Sequence, residues 1–271
     1  MRIGLTASPA ELPATLTAYP NLATCRVFAP PGKGIPAWTS PTMTALIRAG
    51  AIPWPSFKDW NSDGQATTST NVWLTAMPPD LPEVWLTYHH EPEADLNPRD
   101  YRRRWALLAR TVRAHHNGDR VKLIPIHTLY PTRHKIWDRY STDWTQWVGI
   151  WQQWAPTAID GRYVGDYMGW DCYLETTAAT YEDPRRFFAT PIGAAHATGV
   201  PLVIPELGAI RTATDTTGAG RAAWITECLT HLRQHDTQAV CWWQSTGTNG
   251  KDYRLSDDPA RRAWQDAISG T

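Results

Sequence analysis

Val84-Trp85-Leu86-Thr87-Tyr88 runs without a break into His89-His90-Glu91-Pro92-Glu93. Five β-branched, aromatic or apolar residues with no polar alternation predict a strand covered on both faces, as parallel strands are. A second stretch repeats the pattern: Pro201-Leu202-Val203-Ile204-Pro205 leads directly into Glu206-Leu207-Gly208. Further strand-like segments lie near 3–6, 25–28, 51–54, 121–127, 163–170 and 238–243. Across the eight, the spacing averages about 34 residues, the size of one strand–helix unit. The intervening segments begin like helices. Ser8-Pro9, Ser40-Pro41, Asn97-Pro98, Asp183-Pro184 and Asp258-Pro259 each set a capping side chain before a proline suited to the first turn, and Ser8 with Glu11 can form a capping box. Gly50 is placed to end the second helix. In the fourth, Tyr101, Trp105, Leu108 and Val112 share one face, leaving the Arg102-Arg103-Arg104 run largely to solvent. Eight strands alternating with helices predict one α/β domain over residues 1–271, a single (β/α)8 TIM barrel. An open doubly wound sheet is the alternative, but no glycine-rich phosphate turn follows the first strand.

Composition narrows the partners. The 271-residue chain carries 26 basic and 26 acidic residues, which gives no electrostatic reason to expect nucleic acid or a membrane surface. No apolar run approaches the roughly 18 residues of a membrane span. Arg2-Ile3-Gly4-Leu5-Thr6 reads as a strand rather than a leader, so a Sec signal peptide is not expected; the compartment, cytoplasmic or released by another route, stays open. Cys25, Cys172, Cys228 and Cys241 form no CxxC pair, and buried free thiols are the plainest reading. No Cys or His group has zinc-ligand spacing, and the expectation is a monomer without metal or cofactor. Sixteen tryptophans stand against four phenylalanines. Indoles suit stacking on sugar rings as well as packing; both uses are expected, with about a third of them in a cleft.

In parallel barrels the working residues sit where strands run into the following loops. Glu91 and Glu206 leave apolar strands at such ends, the fourth and the seventh, and would face each other across the mouth. A pair of carboxyls, one a proton donor and one a nucleophile or base, is what cleavage of a glycosidic bond requires. A rim salt bridge is the plain alternative for either glutamate. Asp166 or Asp171 acting in an inverting hydrolase is a rival assignment. A barrel that binds glycan without cutting it, as a module of a larger assembly such as a phage tail, is another.

His90-Glu91 on strand four, Met168-Gly169-Trp170-Asp171-Cys172-Tyr173 on strand six, Glu206 on strand seven, and Trp242-Trp243 followed by 252–264 make a further pattern. In order and placement they resemble the clan of retaining (β/α)8 glycoside hydrolases, clan A, and within it glycoside hydrolase family 26, the β-mannanase, β-1,3-xylanase and mixed-linkage glucanase family. Arg26-Val27-Phe28 and Pro55-Ser56-Phe57-Lys58 add weaker support. The resemblance implies hydrolysis of a β-linked polysaccharide or oligosaccharide with retention, Glu91 as acid/base and Glu206 as nucleophile. It implies His90 and Trp170 in substrate binding, Tyr173 donating to Glu206, and Trp242 as the stacking floor beside the scissile bond, although one of Trp242 and Trp243 must be core. Arg26 either holds Glu206 or a substrate hydroxyl, or pairs with Asp171. Trp54, Asp59 and Trp60 line outer subsites, and Glu93 is a loop carboxylate. The loops here are short, so the family's substrate preferences do not carry over.

Overall fold

The apolar runs become strands in the computed structural model, which describes residues 1–30, 32–58, 62–94, 96–129, 151–157, 161–174, 180–247 and 250–270. They are β1 (Arg2–Ala7), β2 (Thr24–Phe28), β3 (Ile52–Phe57), β4 (Val84–Tyr88), β5 (Val121–Leu123), β6 (Ile126–Thr128), β7 (Met168–Leu174), β8 (Leu202–Ala209) and β9 (Ala239–Trp243). Every pairing among them is parallel. The sheet order is β5-β4-β3-β2-β1-β9-β8-β7-β6, so its two outer members are consecutive in the chain. Residues 121–127, expected as one strand, are interrupted at Ile124-Pro125, where proline has no N–H for the ladder. Hydrogen bonds nevertheless run both ways from this stretch. Ile124 N donates to Leu86 O at 3.0 Å and Glu91 N to Ile126 O at 3.0 Å, while Gly169 N donates to Pro125 O at 2.8 Å. The sheet therefore curls until its ends meet, giving a barrel-like α/β fold.

Helices α1 (Leu12–Ala18), α2 (Pro41–Arg48), α3 (Asp63–Thr75), α4 (Pro98–Ala114), α5 (Pro184–Phe187), α6 (Ala189–Thr198), α7 (Ala219–Gln234) and α8 (Asp258–Ser269) lie between and after the strands. Ser40, Asn97 and Asp183 cap as expected, accepting from Met43 N, Asp100 N and Arg185 N. The last cap is Asp257, one residue earlier than expected, accepting from Ala260 N. Ser8 and Glu11 make their mutual contacts in a turn ahead of α1, whose own cap position is Glu11. Gly50 takes φ 69° just past α2. The expected apolar face of α4 is buried, whereas Arg103 pairs with Asp63 on α3. The strand expected at 163–170 starts at Met168. Asp166 ahead of it accepts from Leu123 N and Arg113, which ties the incoming chain to the opposite end of the strands from their carboxyl termini.

The inside of the curled sheet is filled by Trp54, Trp85, Ile124, Ile126, Val203, Ala239 and Cys241. Trp54 and Trp85 meet edge to face at 4.9 Å, and the Trp54 indole donates to Thr87 Oγ1. Trp54 is therefore a plug beneath the mouth and not the subsite wall expected, because its position on β3 points it inward. Ten of the twelve described tryptophans are buried, so among these packing claims somewhat more than the two thirds expected. All four cysteines are buried and free. Among the described residues no helix is long and apolar enough to cross a membrane.

Candidate active site

Four strands deliver charged or polar side chains to the carboxyl end of the sheet, just above this plug. Arg26 comes from β2, Ser56 from β3, Asp171 and Tyr173 from β7, and Glu206 from β8. Arg26 is fully buried, and its Nη1 donates to Glu206 Oε1 at 2.6 Å and to both Asp171 oxygens at 3.1 Å. A buried guanidinium needs such partners, since an unpaired one is very costly to desolvate. The two roles left open for Arg26 are thus filled together. Tyr173 donates its phenolic hydrogen to Glu206 Oε2. Gly208 makes that possible: a Cβ there would meet Cδ1 and Cε1 of the Tyr173 ring at 2.7 and 2.8 Å. Glu206 thus receives two donors at a point of β8 where the register shifts against β7 and β9. Burial raises its carboxyl above the ordinary value, against the opposing pull of Arg26, the Tyr173 hydrogen bond and Lys58.

Glu91 arrives differently. β4 ends at Tyr88, and the chain then takes left-handed backbone at His89 (φ 47°) and Glu91 (φ 51°). Such conformations in non-glycine residues cost about 1–3 kcal/mol each and cluster at working sites. His89 is buried, its N–H on Phe57 O at 2.7 Å, while Glu91 N reaches across to Ile126 O. The carboxyl of Glu91 has the Thr128 hydroxyl as a hydrogen-bond partner. Burial, and next the charge of Glu206, push it up to about 7. It is a protonated acid close to neutrality, beside a carboxylate held by a cation.

His90, between the two left-handed residues, is half-buried with Nδ1 3.1 Å from Ser56 Oγ. Burial, then Arg26, Lys58 and His89, hold its pKa well below the ordinary value, so the ring is neutral. Phe28 lies 5.2 Å from His90 and 5.7 Å from Trp243, with the Arg26 guanidinium 4.8 Å over its own ring. Phe28 and Trp243 are only partly buried, so His90, Phe28 and Trp243 form an aromatic wall next to the two glutamates.

Other expectations are corrected. Trp242 is fully buried, its indole N–H on Tyr253 O at 2.8 Å and its ring 5.6 Å from Trp264 of α8. Successive strand residues face opposite sides, and the residue at the mouth is Trp243. Trp170 is fully buried as well, 5.5 Å from His127 and 6.3 Å from Trp151, with no face for a ligand. Of the two rival carboxylates, Asp166 lies at the far end of the strands, and Asp171 stands beside Glu206, fully buried against Arg26. Asp59 and Trp60 lie outside the described residues. Gly208 and Thr128 were not picked out beforehand, and Ser56 and Lys58 entered only as parts of a motif. Among the described residues, no group of three or more His, Cys, Asp or Glu side chains is placed to hold a metal ion.

Solved structures resemble this arrangement over its whole length. A GH5-4 broad-specificity endoglucanase from an uncultured bovine rumen ciliate superposes with a TM-score of 0.66 at 12% identity, covering 96% of this chain and 86% of its own. The fold is that of glycoside hydrolases. A GH128 (subgroup I) endo-β-1,3-glucanase from Amycolatopsis mediterranei, in complex with laminaritriose, gives 0.56 at 13% identity, covering 98% and 99%. A tri-modular GH5 (subfamily 4) endo-β-1,4-glucanase from Bacillus licheniformis gives 0.63 at 10%, covering 100% of this chain and 60% of that one. The chain thus shares its fold with glycoside hydrolases of families 5 and 128. No family model matches the sequence, and no curated protein does.

Proposed function

We propose that the protein is a retaining glycoside hydrolase acting on a β-linked polysaccharide or oligosaccharide, with Glu91 as acid/base and Glu206 as nucleophile. The observation that carries this reading is the contrast between the two carboxyls. The Glu91 carboxyl, bonded to the Thr128 hydroxyl and without an ion pair among the described residues, is pushed by burial up to about 7, whereas Glu206 accepts from Arg26 and Tyr173. In the first step a Glu206 oxygen attacks the anomeric carbon as Glu91 gives its proton to the departing glycosidic oxygen. In the second, the Glu91 carboxylate takes a proton from water, whose oxygen bonds to the anomeric carbon and releases Glu206. The Arg26 guanidinium, shared with Asp171, steadies the Glu206 carboxylate.

Two of the neighbours are a β-1,3- and a β-1,4-glucanase and the third a broad-specificity endoglucanase, which makes β-glucans the first substrates to try. Counting β5 and β6 as one interrupted strand gives the eightfold barrel in a single domain over 1–271, and the His90-Glu91 pair keeps family 26 as the finer kinship. A panel of β-1,3- and β-1,4-glucans and mannans, followed by proton NMR of the nascent anomer, tests the reading. Release of the β-anomer from a β-linkage is expected. Binding without turnover, or release of the α-anomer, would refute it.

A further inference from the structure

Glu93 and His127 have no part in the chemistry above, yet they meet in a nearly closed space beside it. His127 on β6 is fully buried, and its Nδ1 lies 3.0 Å from Glu93 Oε1. With the Glu93 oxygen as acceptor, Nδ1 is the donor of this bond. Tyr101, Trp151 and Trp170 wall the imidazole at ring distances of 6.1, 5.8 and 5.5 Å. No other protein atom partners His127 Nε2 or Glu93 Oε2, so one hydrogen bond sets the orientation of both side chains.

We propose that Glu93 and His127 form a positioning pair that holds the His89–Glu91 turn in its left-handed form and so places the Glu91 carboxyl. The proposal rests on the reading of Glu91 as acid/base. A turn with φ 47° at His89 and 51° at Glu91 stays populated only if the surroundings over-determine it. On one side the tether is His89, through its N–H on Phe57 O and its Nδ1 3.3 Å from Lys58 O. On the other it is β6, where three successive residues hold the chain: Ile126 O takes Glu91 N, Thr128 bonds the Glu91 carboxyl, and His127 bonds Glu93. Pro92–Ala94 is a single 3-10 turn, and the Glu93–His127 bond ties it to β6. The charge of Glu93 also adds to the upward shift of Glu91.

Four substitutions separate the bond from the charge. E93A removes the acceptor, and H127Q moves the donor nitrogen towards the Nε2 position, away from Glu93. E93Q keeps the acceptor without the charge, and H127N keeps a donor at the Nδ1 position. With folding checked by thermal unfolding, E93A and H127Q should lower kcat about 10–100-fold with KM within about twofold, as expected for a misplaced catalytic group. H127N and E93Q should retain most of kcat, and E93Q should move the alkaline limb of the pH profile to lower pH. Amide hydrogen exchange across 89–93 should speed up in E93A and H127Q and stay slow in E93Q and H127N. If E93A does not fold, H127N against H127Q gives the same comparison. Unchanged exchange and kcat in folded E93A or H127Q would overturn the proposal, as would equal damage in all four variants. The exchange pattern does not depend on turnover: if it appears in an enzyme that cleaves no glycan, the pair stands and the hydrolase reading falls.

Discussion

The two glutamates at the mouth are placed by opposite means. Glu206 sits within β8 where the register shifts against both neighbouring strands, its oxygens fixed by side chains from β2 and β7, and burial is the largest influence against its charge. Glu91 sits on strained backbone after a strand has ended, with a hydroxyl and no cation for a partner. A nucleophile must be anionic and fixed, and a guanidinium with a phenolic donor supplies both. An acid must be neutral near the working pH, and burial with a hydroxyl partner suits a carboxyl to that, its position set by the turn that carries it. Paired titratable groups in environments that separate their pKa values are how one site runs both acid and base chemistry.

The sharpest way to break this comparison is to remove each carboxylate in turn. Glu206→Ala should leave a folded protein that binds glycan, with hydrolysis reduced by several orders of magnitude because the covalent route is gone. With an activated aryl β-glycoside, azide should enter the space left by the carboxylate and give a glycosyl azide of inverted configuration. Glu91→Ala should instead give the retained azide, since its covalent intermediate still forms. Product NMR reads the two outcomes without reference to rate. An inverted azide from Glu91→Ala would show that the roles are exchanged.

Next in size is the acid/base effect itself, about 10²–10⁴-fold for Glu91→Gln on a substrate with a poor leaving group. The wild-type profile should fall as pH rises through about 7, where Glu91 loses its proton. Its acidic limb should lie above the ordinary glutamate value of 4.5, since Glu206 must be ionised and its pKa is raised. In Glu91→Gln the alkaline limb should vanish and the acidic limb remain. The same shift has a stability consequence with a definite sign. A carboxyl raised from 4.5 to about 7 on folding favours the native state when protonated, so wild-type stability declines between those pH values as the unfolded chain ionises first. Glu91→Gln should therefore be more stable than wild type at pH 8, by at most about 3 kcal/mol, and gain little at pH 4. Chemical denaturation at the two pH values checks this; an equal gain at both would mean that burial of the charge is not the cause.

The strands and most helix starts were legible because they depend on local pattern: continuous apolar runs, and a capping side chain ahead of proline. Both glutamates were legible because a carboxylate leaving an apolar strand is costly without a purpose. Three kinds of feature were not. Register between distant strands, which brings Arg26 to Asp171 and Glu206 together, is set by closure of the whole sheet. The break at Ile124-Pro125 depends on what proline can donate to a ladder whose neighbours the sequence does not name. The facing of adjacent tryptophans on a strand depends on which parity points outward, so Trp243 rather than Trp242 stands at the mouth, and the buried positions of Trp54 and Trp170 deny them cleft roles.

That difference in facing yields the next test. Trp243→Ala should lower kcat/KM about 10-fold with the fold intact, because only a partly exposed stacking face is lost. Trp242→Ala should act on stability instead, by about 3–5 kcal/mol, since its whole ring lies against α8 and its N–H bonds Tyr253 O. If Trp242→Ala were folded normally and lost substrate binding, the present assignment of the two would be reversed.

The smallest effect probes the wall opposite Glu91's own tethers. Ser56 Oγ lies 3.1 Å from His90 Nδ1 and 3.4 Å from Arg26 Nη2, so one hydroxyl touches both the acid loop and the cation serving Glu206. His90 is held neutral, so the Ser56 contact is an ordinary hydrogen bond worth about 1 kcal/mol. Ser56→Ala should therefore reduce kcat/KM about fivefold. Arg26 keeps its two carboxylates and should keep Glu206 in place, so azide chemistry in a Ser56→Ala/Glu91→Ala protein should still give the retained product. Most of the loss should fall on KM if His90 meets substrate, and on kcat if it steadies the turn that carries Glu91. A loss much larger than fivefold, with the acidic limb displaced, would mean that Ser56 serves mainly Arg26. The two glutamates would then share one support, and the separation drawn between their settings would fail.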